Sequence, residues 1–187
     1  MKQRTKRLTL ALLGFIVVAS FGMSTVSATT YQWHVTGYSI WNGIWKYGGV
    51  SEMQTRNYVC LWVQTSHGPP LNPAQARVQF WMTKYIGSET VDSVWFKTWF
   101  KYKCTHGDLD PEMQVWAWNY VYLRYDLIVD TQIDEQTWFK IVVPLSTQHT
   151  RKVGNYVESI VVMTLISDWT HFYDDCYWDE VWWTVKT

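Results

Sequence analysis

The sequence predicts an all-β chain: a two-sheet antiparallel sandwich, or jelly roll, preceded by a cleaved signal helix. Two observations carry this expectation. Apolar and polar residues alternate with period two over about eight segments enriched in Val, Ile, Thr, Trp and Tyr. Turn-forming clusters separate these segments, and no stretch shows a convincing helical period. Strands at this spacing without helical partners pack as two sheets.

The leader comes first. Lys2, Arg4, Lys6 and Arg7 precede an apolar run from Leu8 to Ala19, and small and hydroxyl residues then lead to Val26-Ser27-Ala28. This is the layout of a secretory signal peptide over 1–28, with cleavage expected after Ala28. The alternative is a retained anchor with the apolar run prolonged through Phe21 and Met23, although the resulting run of about 16 residues is shorter than the roughly 20 a spanning helix needs. Residues 29–187 then form one domain, large enough for a sizeable core, on a secreted or cell-surface chain.

Charge excludes some partners. The chain holds 16 basic and 16 acidic residues, and taking away the leader's four basic ones leaves 12 against 16, or −4. That balance argues against nucleic acid, whose phosphates need a basic surface. No lysine- or arginine-rich run argues for lipid-membrane binding by the mature domain.

The strand segments follow in order at 32–40, 56–65, 76–86, 91–103, 112–129 (one strand or two), 136–145, 156–167 and 176–185. Gly48-Gly49, the cluster at 67–73, Gly87-Ser88, the cluster at 106–111 and Gly154-Asn155 mark turns between them. There is no internal repeat.

Side-chain alternation separates core from surface. In "VDSVWFKTWFKYK", Val94, Phe96, Thr98, Phe100 and Tyr102 form the core side. Trp95, Lys97, Trp99, Lys101 and Lys103 form a side that burial would not tolerate. In "QVWAWNYVYLRYDLIV", Trp116, Trp118, Tyr120, Tyr122, Arg124 and Asp126 stand opposite Val115, Ala117, Asn119, Val121, Leu123, Tyr125 and Leu127, which form the core side. If both polar-aromatic sides belong to one sheet, they make an aromatic platform with charged groups along it. Flat indoles pack against the C–H faces of pyranose rings while polar side chains bond hydroxyl edges. The candidate ligand-binding residues are therefore Trp95, Lys97, Trp99, Lys101, Trp116, Trp118, Tyr120, Tyr122 and Arg124. All 14 tryptophans follow the leader, which makes indole the outlying feature of the composition.

Other chemistry finds little support. Cys60, Cys104 and Cys176 allow one disulfide and one leftover thiol, and no two cysteines or histidines stand at zinc-ligand spacing. The five histidines are scattered, mostly near turns. No Gly-x-Ser-x-Gly or glycine-rich phosphate loop occurs.

Over residues 120 to 185 the segments "YLRYDLIVD", "EQTWFKIVVPLST", "YVESIVVMTLI" and "FYDDCYWDEVWWTV" follow one another. Trp138 with Val143-Pro144-Leu145-Ser146, and then Tyr177-Trp178-Asp179-Glu180-Val181, give this part a recognisable order. It resembles the end of secreted jelly-roll carbohydrate-binding modules of the galactose-binding-like type. The N-terminal third lacks the Asn-Gly-x-Phe-Glu-like opening of many such modules. The resemblance implies non-catalytic binding of a polysaccharide or glycan. It also implies a structural calcium ion at Asp179, where a salt bridge or an edge location is the alternative. Asp174 and Asp175 read as exposed turn residues before the strand. By alternation Asp179 points with Tyr177, Val181 and Trp183, while Glu180 joins Trp178 and Trp182 on the other side. Carboxylates and carbonyls supply the six to eight oxygens calcium takes, so one aspartate is a fragment of such a site.

Two alternatives stand beside this reading. "PEMQVWAW" is similar to the nucleophile strand of small cellulase-like jelly-roll hydrolases. That would make Glu112 a nucleophile, with Glu158 or Glu180 as the second carboxylate, although Met113 is displaced by one position. The other is self-association into an extracellular layer or filament through aromatic patches or edge strands.

Overall fold

The structure, a computed structural model, describes residues 29–66, 73–104, 111–133, 136–167 and 174–187. The leader and its cleavage point, and His67, His106 and His171, lie outside the described residues.

Twelve strands are present among the described residues: β1 Thr30–His34, β2 Gly37–Asn42, β3 Ile44–Tyr47, β4 Leu61–Gln64, β5 Gln75–Tyr85, β6 Ser93–Lys103, β7 Glu112–Asn119, β8 Arg124–Gln132, β9 Phe139–Leu145, β10 Thr150–Val153, β11 Tyr156–Ile166 and β12 Asp175–Lys186. The β12 sheet runs β3-β4-β12-β6-β9, with β1 also on β12. The β11 sheet runs β2-β5-β11-β7-β8, with β10 also on β11. All pairings are antiparallel. Counting only β4 to β9, β11 and β12 in chain order, one sheet reads first, eighth, third, sixth and the other second, seventh, fourth, fifth. This is the jelly-roll order, so the expected architecture is present.

Period-two alternation builds the core. Val94, Phe96, Thr98, Phe100 and Tyr102 are buried along β6, as expected, and meet Ala76, Val78, Phe80 and Met82 of β5 from the opposite sheet. Phe96 and Trp183 approach to 5.1 Å between ring centroids, Phe100 and Trp178 to 5.2 Å, and Phe80 and Trp178 to 5.8 Å. Each ring buried in this way is worth about 1.5–3 kcal/mol, so the inter-sheet cluster dominates the stabilisation.

The differences from the sequence reading have local causes. The 32–40 segment is two strands, because the chain steps between sheets there: Val35 N–H donates to Val181 O and Thr36 N–H to Trp81 O. The 112–129 segment breaks at 120–123, where the Asn119 side-chain oxygen accepts the N–H groups of Val121 and Tyr122 at 2.9 and 3.0 Å and Leu123 takes φ 52°. That turn, with a bulge between Val115 and Trp116, sets Tyr125 opposite Trp118 and Leu127 opposite Trp116. Val121 and Leu123, expected on the core side, are exposed. In β12 a bulge between Trp178 and Val181 resets the alternation. Trp178 enters the core beside Val181 and Trp183 instead of joining Glu180 on the surface. No disulfide joins Cys60, Cys104 and Cys176, which are all buried. No helix among the described residues is long and apolar enough to cross a membrane.

Candidate functional site

A trough lies on the outer face of the β11 sheet. Its floor is the outward row of β11: Thr164, Val162, Ile160 and Glu158. Register sets the walls. Arg77 and Gln114 flank Thr164, Gln79 and Trp116 flank Val162, and Trp81 stands beside Ile160. Although they point away from the core, Val162 is 2% and Thr164 0% exposed. The cause is above them. Trp41 lies in a bulge of β2 and Tyr125 on β8, at opposite edges of the sheet, yet their rings meet edge to face at 5.5 Å. In a flat sheet those strands would be about 19 Å apart, so the side chains lean inward over a hollowed face.

Two hollows follow one another along this trough. The first, about 170 Å³, is lined by Trp41, Arg77, Trp116, Tyr125 and Val162. The second, about 520 Å³, lies between Trp81, Trp118, Tyr120, Arg151, Glu158 and Ile160. Trp118 packs edge to face on Tyr125 at 4.9 Å and so divides them. From Thr164 to Glu158 the floor spans six residues, about 20 Å.

The polar groups of the walls are held in place. Arg77 Nε donates to Thr164 Oγ1 at 3.1 Å, Trp116 Nε1 to Gln114 Oε1 at 3.1 Å, and Gln79 Nε2 to Tyr125 Oη at 3.3 Å. Gln114 also donates to Glu112. In the second hollow Arg151 pairs with Glu158 at 2.6 Å and lies 4.9 Å from the Tyr120 ring centroid. Burial, then the Glu158 charge, pushes the Tyr120 hydroxyl up to about 12, so it is an un-ionised donor at neutral pH. Fixed indoles with oriented amide, guanidinium and hydroxyl groups suit an extended, hydroxyl-rich ligand.

The structure divides the sequence-expected platform. Trp116, Trp118 and Tyr120 belong to the trough. Tyr122 stands in the 120–123 turn with Arg124 over its ring at 5.4 Å, and both are exposed rather than aligned with the indoles. Trp95, Lys97, Trp99 and Lys101 lie on β6, in the other sheet, so the two rows face away from each other and form no single surface. Trp41, Arg77, Gln79, Trp81, Tyr125 and Arg151 were not anticipated. A signal for three of them exists in "QARVQFWM", where Arg77, Gln79 and Trp81 alternate with core residues just as in β6. Trp41 and Tyr125 depend on a bulge and a turn, which period-two reasoning does not see.

Asp179 is fully buried at the β12 bulge, and its two oxygens accept the N–H groups of Asn57 and Tyr58 at 3.3 Å each. Burial raises its pKa, although those N–H donors and Arg56 oppose the shift. The described residues around it do not fit a calcium ion. Its oxygens face hydrogen-bond donors, and no group of three His, Cys, Asp or Glu residues able to hold a metal occurs among the described residues. Asp179 ties the loop before β4 to the sheet. Asp174 and Asp175, expected in an exposed turn, are buried, and Asp175 accepts the Trp62 indole N–H at 2.9 Å.

The carboxylates of the hydrolase alternative are not brought together. Glu112 is on β7 of the β11 sheet, while Glu180 is on β12 of the other and bonds His34 at 3.2 Å. Glu158 shares the Glu112 face but is eight residues along β11 from the partner of Glu112, about 26 Å away. Paired glycosidase carboxyls stand about 5–9.5 Å apart.

No family model and no curated protein matches this chain. Among solved structures it is similar to TmCBM27, a carbohydrate-binding module whose structure concerns specific mannan recognition. That likeness has a TM-score of 0.47 and 9% identity, over 87% of this chain and 100% of that one. It is similar to the K1 cleaved adhesin domain of Lys-gingipain from Porphyromonas gingivalis W83, with a TM-score of 0.46 and 14% identity over 83% and 97%. A CBM4 structure gives 0.44 and 10% over 80% and 94%. With every score under 0.5, these likenesses carry nothing about what this chain binds.

Proposed function

We propose that this chain is an exported, non-catalytic glycan-binding protein, and that a polysaccharide segment lies along the trough over β11. The observation that supports this reading is two ring-walled hollows in line over about 20 Å of one strand. Trp116, Trp118, Trp41 and Trp81 supply stacking surface. Arg77, Gln79, Gln114 and Arg151 supply directional bonds that discriminate hydroxyl orientation. Contact with a partly wet, open face gives modest affinity. Export rests on the leader over 1–28.

The test is titration of indole fluorescence with a panel of neutral soluble hexose and pentose polymers, on the wild type and on Trp116→Ala. We expect a saturable change with at least one polymer and binding by the variant weaker by about fivefold or more, taking the loss of one stacking ring as about 1–3 kcal/mol by analogy with base–aromatic stacking. A response to none of the polymers, or an unchanged variant, defeats the reading.

Self-assembly is a second reading, favoured by β3, an edge strand whose Ile44, Trp45 and Tyr47 are all exposed. Sedimentation that grows with concentration in the absence of any glycan would select it.

A further inference from the structure

The outer face of the β12 sheet is basic, and its cations form no ion pair among the described residues. Lys97, Lys101 and Lys103 project from β6, Lys140 from β9, and Arg56 reaches in from the loop before β4. Three carboxylates lie on or beneath this face, and all are engaged. Asp179, near Arg56, accepts the Asn57 and Tyr58 N–H groups. Glu180 bonds His34 at 3.2 Å, and Asp175 takes Trp62 Nε1 at 2.9 Å and Gln64 Nε2 at 3.2 Å. The four ion pairs among the described residues include none of the five cations. In a chain of zero formal net charge, such an imbalance on one face makes a locally positive field.

The rings of this face support the cations. The Arg56 guanidinium lies 3.5 Å from the Trp99 ring centroid, and Lys140 Nζ lies 5.1 Å from that of Trp182. Such contacts hold a charge in place at the surface and reduce the ordering cost of binding. Lys97 stands between Val142 of β9 and Trp182 of β12. Burial, and then the nearby charge of Lys140, lower its pKa. Ammonium groups crowded together without an acid are relaxed by an anion.

We infer that this face is a second binding surface, for a polysaccharide carrying carboxylates, with Lys97, Lys140 and Arg56 taking the acid groups. Trp99, already covered by Arg56, positions that cation and does not stack on sugar. The spacing fits sparse charge: Lys97 and Lys101 are about 13 Å apart along β6, whereas duplex DNA presents one charge per about 1.7 Å. The inference does not depend on what the trough on the opposite sheet binds.

The test is affinity electrophoresis of the full chain in gels containing de-esterified polygalacturonate, its fully methyl-esterified form, or single-stranded DNA at equal charge. Retardation is expected with polygalacturonate alone, falling about tenfold in strength between 50 and 200 mM salt. Lys97→Gln with Lys140→Gln should abolish it, as should Arg56→Gln separately, while thermal unfolding and any neutral-glycan fluorescence response stay as in the wild type. Equal retardation by the esterified polymer, tighter binding to DNA, or retardation that survives both sets of substitutions overturns the proposal. Failure of neutral glycans to bind would instead bear on the trough alone.

Discussion

Asp126 and Asp179 are carboxylates whose surroundings push them in opposite directions. Hydrogen bonds from Asn119 and His149, then burial's opposing effect and Arg124, leave Asp126 below its ordinary pKa, while burial lifts Asp179 above. Asp126 holds its proton less tightly folded than unfolded, so its contribution is present above the ordinary carboxylate pKa and lost as pH falls through the folded value. Asp179 holds its proton more tightly when folded, so its share of stability is greatest below the ordinary value and declines as pH rises through the raised one. Acid unfolding curves should show both signs: Asp126→Asn flattens the loss at the lowest pH, and Asp179→Asn flattens the decline above it. A further expectation concerns metal. Because the Asp179 oxygens are occupied by Asn57 and Tyr58 N–H groups, added calcium or chelator should leave the unfolding temperature unchanged by differential scanning calorimetry.

The strands show which parts of the fold the sequence makes visible. The core and surface sides of β6 follow from counting by two, since that strand has no bulge opposite β9 and pairs regularly. The same count fails at Tyr122 and Trp178. There, an asparagine side chain that takes two backbone N–H groups and a two-residue bulge reset the alternation, and neither has a period to detect. Turns are also where single substitutions act most strongly. Gly48 has φ 87°, and an added Cβ would run into the carbonyl oxygen of Cys60 across the β3–β4 hairpin. Gly48→Ala should cost about 2 kcal/mol or more, read as a lower denaturant midpoint at constant slope. Asn119→Ala removes both acceptor contacts of the 120–123 turn and should cost about 1–3 kcal/mol. It should also weaken glycan binding, because Tyr120 and Leu123 edge the second hollow.

At the scale of the molecule, sheet membership decides which side chains share a surface, and it is the least legible property of the sequence. β6 and β7 are neighbours in sequence, yet one pairs with β12 and β9, the other with β11 and β8. Pairing with strands far along the chain depends on register and closure, not on the composition of either segment. The result is two chemically different exteriors on opposite sides of a core about 10 Å thick. A chain saturated with a neutral glycan should therefore still be retarded by polygalacturonate to the same degree, and joint addition should give additive rises in unfolding temperature.

The meeting of Trp41 and Tyr125 has its own consequence. These rings start from opposite rims of the β11 sheet and close an arch above Val162. The clearance beneath them is fixed by two rotatable side chains, so a bulky ligand can swing the keystone aside without bending a strand. Emission from Trp41 would then tell an arch that is threaded from one that is merely roofed over, because only threading parts the two rings.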